Sequence, residues 1–242
     1  TGEDNSGYGK IIATRGTSRW QASEGPEVIY RDGYYYLFLA YGSLSVEYNT
    51  RVCRSRNIDG PYVDIHGNSA MGSAQLYPIL TAPYRFDNSY GWVGISHCGI
   101  FDDGAGNWFY TSQGRFPVNV GGNEYSNAIM MGHVRSIRWD ANGWPLVMPE
   151  RYGAVPQVPI TEEEIAGNWE HLSLTSSTGT QRTSETLTFD AGTHKISSGS
   201  WKDASWTFDA ASQTITTSAG VVLYLQREVD WEATSRTHTI VY

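Results

Sequence analysis

The chain has 242 residues, a formal net charge of −8 and sparse, scattered Lys and Arg, which excludes a phosphate-backbone ligand such as nucleic acid because such binders need a basic face. Its length allows two modest domains, each with a core of its own. Aromatics reach 13% against 17% charged residues, with 16 Tyr, 9 Trp and 26 Gly, a balance suited to an all-β chain of short strands and glycine turns.

The first clear element is Ser23 to Tyr30, an acidic residue in a tight Gly25-Pro26 setting before the apolar run Val28-Ile29-Tyr30. The hairpin signal Asp32-Gly33 follows, then Tyr34 to Phe38 and, after a loop, a third strand from Tyr48 to Ser55. The same order recurs downstream. Gly104 to Tyr110 repeats the hairpin, and Tyr125 to Ser136 repeats the third strand. Gly33 and Gly106 lie 73 residues apart, and the same interval carries Glu24 onto His97. The two side chains are therefore expected at equivalent positions in successive units. The period exceeds the ~40–50 residues of a compact four-stranded blade, so the loops are long, and long loops commonly build a site.

Antiparallel geometry says which loops share a rim with Glu24 and His97. They are the returning stretches Gly42 to Asn49 and Gly114 to Asn123, joined by the unit-to-unit connection over residues 66 to 96. A further blade segment is expected where Val134 to Trp139 pairs across Asp140 to Gly143 with Trp144 to Val147. Residues 1–157 thus form one domain. Val155-Pro156-Gln157-Val158-Pro159 reads as a stiff linker. Thr161 with Glu164 fits a capping box opening a short helix that ends near Gly167. Residues 158–242 then carry short alternating runs, Trp169 to Leu174, Ser184 to Phe189, Ser205 to Phe208, Thr214 to Thr216, Val221 to Leu225 and Thr237 to Tyr242, which predict a small antiparallel barrel or sandwich.

The stretch Ser23 to Ala40, with Tyr48 to Tyr62, Trp92 to Arg115 and His133 to Tyr152, resembles glycoside hydrolase family 43, and within it the arabinanases. The C-terminal module is similar to the small β-barrel appended to two-domain endo-arabinanases. The resemblance implies that residues 1–157 are the later blades of a five-bladed β-propeller and that the enzyme cuts α-1,5-L-arabinan by inversion. Inversion needs a protonated carboxyl at the leaving oxygen and a carboxylate base roughly 6.5–9.5 Å away. Glu24 matches the family's acid, and partial desolvation at the strand mouth would keep its proton available. His97 matches a histidine beside an axial hydrated cation, usually calcium, with water completing the shell.

Trp92, Tyr90 and Trp20 are candidates for stacking on sugar rings, and Arg115 for binding substrate hydroxyls or a carboxylate. Glu27 is expected to point away or to pair with an arginine. Asp87, Asp102, Asp103 and Asp140 lack the setting of the family's base and second aspartate, so both are expected upstream, on an N-terminal fragment that stays associated as a companion chain. Two readings compete with endo-arabinanase action. One is a non-catalytic arabinan-binding propeller, the other a family enzyme acting on xylan or arabinofuranosyl side chains.

Cys53 and Cys98, each inside an apolar run, are expected to be buried free thiols. His66, His133, His171, His194 and His238 show no metal-ligand spacing. No run approaches the 18 apolar residues of a membrane span, so no membrane partner is expected. The first residues are polar and show no leader, and secretion is inferred from the family resemblance alone.

Overall fold

A computed structural model describes residues 9–15, 23–72, 75–87, 89–174 and 179–242. Its first half is two four-stranded antiparallel sheets. One contains β1 (Ser23–Arg31), β2 (Tyr34–Tyr41), β3 (Asn49–Ser55) and β4 (Ile79–Thr81) in that order. A two-residue strand, β5 (Tyr84–Arg85), leads to the second sheet of β6 (Gly99–Asp102), β7 (Trp108–Arg115), β8 (Met130–Trp139) and β9 (Pro145–Val147). Each sheet is one propeller blade. Both central residues of the β1–β2 turn take positive φ, Asp32 at 49° and Gly33 at 82°, the backbone that lets a two-residue hairpin follow the twist of its strands.

The pairing expected across Asp140 to Gly143 is present. The pairing of Trp139 with Pro145 belongs to the outer edge of the second blade, because β8 runs unbroken from its partnership with β7 into its partnership with β9. Ten residues of a single strand serve both neighbours.

Strand β2 shows why the blades pack. Its sequence, Tyr34 to Tyr41, is apolar throughout and its last six residues are buried, as a central strand covered on both faces must be. Period-two alternation splits it cleanly. Tyr36 and Phe38 face the second blade, in a core shared with Trp92, Ile100, Tyr110 and Ile137. Leu37, Leu39 and Tyr41 face away, under Tyr62, Ala70 and Leu76 of the long loop before β4. Each such side chain contributes about 1.5–3 kcal/mol by leaving water. Polar contacts fix the angle between the blades. Tyr36 donates to the Gly143 carbonyl at 2.5 Å and Arg54 to the Asn142 carbonyl at 2.7 Å, with Arg54 also lying over the rings of Tyr34 and Trp144.

The second half is almost wholly β. The expected capping box exists, with the Thr161 amide donating to Glu164 Oε2 at 2.9 Å, but it opens a single 3-10 turn, Glu162–Glu164. The strands that follow are β10 (Gly167–His171), β11 (Arg182–Thr183), β12 (Glu185–Asp190), β13 (Lys195–Ile196), β14 (Trp206–Asp209), β15 (Thr214–Thr217), β16 (Val222–Tyr224), β17 (Gln226–Val229) and β18 (His238–Val241). Three small antiparallel sheets, β10-β12-β13, β14-β15-β16 and β17-β18, wrap one core centred on Leu187, Phe189, Trp206 and Ile215. Cys53 and Cys98 are buried and free, and burial pushes both thiols up to about 12, so neither is a nucleophile.

The halves are joined by more than the linker. β11 pairs in parallel with β5, with Arg182 opposite Tyr84. Glu228, fully buried on β17, accepts from Ser136 at 3.1 Å and from the Gly153 amide at 2.8 Å. Arg227 donates to the Val158 and Pro159 carbonyls and binds Glu164, which ties the proline-containing segment to the second half.

Candidate active site

Glu24 reaches the blade mouth through a bulge. It pairs with Ala40 while Glu27 pairs with Phe38, so β1 has one residue more than β2 across that interval. The surplus lies at Gly25-Pro26, where Gly25 takes φ +54°, a conformation that costs glycine little. Such bulges re-aim side chains near sites. Here the bulge also admits a neighbour, for a Cβ on Gly25 would stand 2.8 Å from Cδ2 of the His97 ring.

His97 precedes β6 with φ 58°. Its Nδ1 lies 3.8 Å from Glu24 Oε1. Between them stands a residue for which sequence reasoning found no role, the buried Tyr48. Its hydroxyl donates to Glu24 Oε1 at 2.5 Å and lies 3.3 Å from His97 Nδ1. Burial, then the hydrogen bond to Glu24, raises the Tyr48 pKa well above that of an ordinary phenol. Tyr48 therefore stays protonated and serves as a permanent donor. The available signal was positional, because Tyr48 ends the Gly42 to Asn49 return that shares a rim with Glu24.

A buried polar chain backs the site. Thr50 Oγ1 lies 2.7 Å from both Ser96 Oγ and the Tyr110 hydroxyl, and Thr81 Oγ1 lies 3.1 Å from Tyr110 while donating to the Ile95 carbonyl at 2.8 Å. These bonds cross from the first blade to the second and hold the segment that carries His97; satisfied buried networks of this kind rigidify. Gly94 donates to the Ser45 carbonyl, and Val93 exchanges backbone bonds with Arg115, so the rim loops form one surface around Glu24. The Glu24 side chain is 52% exposed. The desolvation expected at the strand mouth is thus only partial in this chain, and the carboxyl has room to meet a leaving oxygen.

The other candidates fall in different places. Trp92 corrects an expectation. It is 3% exposed, stacked on Phe116 at 4.8 Å, in edge contact with His133, covered by Arg151, and bonded through Nε1 to Glu232 of the second half at 2.8 Å. Its faces are filled by protein, so it packs the domain junction and cannot stack on a sugar. Tyr90 is 60% exposed at the tip of the Tyr84–Trp92 hairpin, where its carbonyl accepts from Gln181. Arg115 is engaged by the Asn127 carbonyl at 3.3 Å and Gln113 Oε1 at 3.5 Å and makes no ion pair among the described residues, so it anchors the loop after β7. Trp20 lies outside the described residues. Glu27 pairs with no arginine among the described residues; it approaches the Ile100 amide at 3.5 Å. Asp103 and Asp140 accept turn amides.

No group of three or more His, Cys, Asp or Glu among the described residues could hold a metal. This chain offers an ion one imidazole beside one carboxylate, a donor set that fits a largely water-coordinated cation and not a protein cage.

Comparison with known proteins matches both halves of the chain to described families. The profile of glycosyl hydrolases family 43 matches residues 3–145, and that of a C-terminal lipocalin-like domain matches residues 149–242. The chain belongs to glycosyl hydrolases family 43. It is 30% identical over 185 residues to the extracellular endo-α-(1→5)-L-arabinanase 2 of Bacillus subtilis, an alignment covering 67% of this chain and 37% of that one. The extracellular endo-α-(1→5)-L-arabinanase of Thermotoga petrophila is 31% identical over 186 residues, covering 69% and 37%.

Two solved structures share the fold. They are the family 43 YxiA protein of Bacillus licheniformis, with TM-score 0.79 and 24% identity over 97% of this chain and 54% of that one, and the endo-1,5-α-L-arabinanase of T. petrophila, with TM-score 0.79 and 23% identity over 98% and 54%. The chain thus spans a little over a third of the curated relatives it matches and about half of the solved ones.

Proposed function

We propose that this family 43 chain is the acid-bearing part of an enzyme that hydrolyses α-1,5-L-arabinofuranosidic bonds in arabinan, endo-acting and inverting. The observation that carries the reading is the Glu24–Tyr48–His97 cluster at the blade mouth. Glu24 gives its proton to the departing glycosidic oxygen. Tyr48 holds Oε1, which leaves the second carboxyl oxygen to face substrate. The base that activates water belongs to an N-terminal part of the propeller. In support, β1 leaves Val28 and Tyr30 exposed at 42% and 60%, a face that a preceding blade would cover.

His97 would hold a hydrated cation, calcium by family resemblance, which would neutralise charge near the bound sugar; no step above depends on it. Two relatives named as extracellular support secretion. The arabinan reading draws on those names.

Reducing-sugar release from linear arabinan, measured on the enzyme assembled with its N-terminal part, tests the proposal. Glu24→Gln is expected to lower kcat by about 10²–10⁴, the range for loss of a positioned acid. Binding of arabinan without hydrolysis by the unaltered assembly would make this a binding propeller instead, and hydrolysis of xylan alone would move the substrate assignment.

A further inference from the structure

Between the outer edge of the blades and the second half lies a cavity of about 880 Å³, within the range of about 300–1,000 Å³ typical of small-ligand sites. None of Glu24, Tyr48 and His97 lines it. Its walls are pinned by the parallel β5–β11 pairing and by the bonds from Trp92 to Glu232 and from Trp231 to the Arg151 carbonyl. It is therefore a built space and not a loose seam.

Three features of the lining define what would fit. Trp169 and Tyr242 form an aromatic wall, their centroids 5.5 Å apart at 33°, and the lining also includes Phe86. Glu150 and Arg135 reach the cavity from the blade side at 4% and 2% exposure, and Glu150 Oε2 and Arg135 Nε have no hydrogen-bond partner among the described residues. Unsatisfied buried groups are rare enough that each needs an explanation. Finally, acidic side chains outnumber the two guanidiniums, Arg135 and Arg227, which disfavours an anionic ligand.

We infer that this cavity is a second saccharide site, which takes a short neutral oligosaccharide away from Glu24. Aromatic faces pack on the C–H faces of sugar rings, while hydroxyls both donate and accept and so suit Glu150 and Arg135 together. Burial, then the charge of Glu232, pushes Glu150 up to about 8. At neutral pH the carboxyl is therefore mostly protonated and offers a donor as well as an acceptor. The inference rests on the arabinanase reading for the identity of the sugar, and on the cavity for everything else.

The test is titration of the full 242-residue chain with linear arabinotriose, followed through the Trp169 indole N–H by NMR. A saturable shift is expected, equal in the unaltered chain and in Glu24→Gln. Affinity should fall at least tenfold in Leu174→Trp, which fills the cavity from an exposed rim position, and several-fold in Glu150→Ala. A silent Trp169 indole, or a shift that survives both cavity variants, overturns the site. Failure of the arabinanase reading would be seen separately, as absent hydrolysis by the assembled enzyme, and leaves the Trp169 titration readable.

Discussion

The Tyr48 hydroxyl donates to Glu24 Oε1 at 2.5 Å, from a side chain that is itself fully buried. The exposed acid is thus held by a donor that solvent cannot compete for. The two residues lie 24 positions apart, on β1 and just before β3, and β2 brings their ends to one rim.

Tyr48→Phe removes that donor while keeping the ring. A hydrogen bond to a charged group is worth about 1.5–3 kcal/mol, so kcat on arabinan should fall by about 10- to 150-fold. An aryl arabinoside, whose leaving group needs little protonation, should be affected much less. Equal losses on both substrates would show that Tyr48 acts on the fold and not on the acid.

Gly25→Ala places a Cβ in the space of the His97 ring at a position with φ +54°. The backbone term alone costs about 1 kcal/mol, visible as a lowered Tm. Displacement of His97 should lower activity beyond that, and a structure of the variant should show the Tyr48–His97 contact lengthened. An unmoved His97 would mean that the bulge absorbs the methyl.

Glu150 and His133 set opposing pH limits. Glu150 rises from an ordinary 4.5 to about 8 in the folded chain, so its contribution is full below pH 4.5 and is lost as pH climbs towards 8. Burial, then Arg135 and Arg151, lowers His133 from 6.5 to about 3; its contribution is full above pH 6.5 and is lost as pH falls towards 3. Each group gives a slope of at most about 1.4 kcal/mol per pH unit, and between pH 4.5 and 6.5 the two oppose. Urea unfolding across pH should therefore show Glu150→Gln gaining on the unaltered chain as pH rises to 8. A difference independent of pH would contradict the assignment.

Trp92→Ala should cost about 3–5 kcal/mol, as for other large buried rings, and Trp92→Phe less, mainly the bond to Glu232. Both belong to stability, read by denaturant midpoints. A rise in KM with unchanged stability would instead restore Trp92 to the substrate.

Alternation, turn signals and an internal repeat made much of this molecule legible in the sequence. Asp32-Gly33 marks a two-residue hairpin because both positions need positive φ. The alternating runs from Trp169 to Tyr242 mark six of the strands of the second half, within three residues of their observed bounds, and the 73-residue interval draws Glu24 and His97 towards one place. These features rest on local backbone chemistry and on period, which a linear chain carries in full.

Tertiary structure alone decided what stands between and behind those residues. Tyr48 is one of many tyrosines until β2 and β3 fold it under Glu24. Trp92 reads as a rim aromatic until Phe116, Arg151 and Glu232, the last 140 residues away, close over it. In each case the deciding contact joins residues distant along the chain, and neither propensity nor spacing encodes which distant surface will cover a side chain.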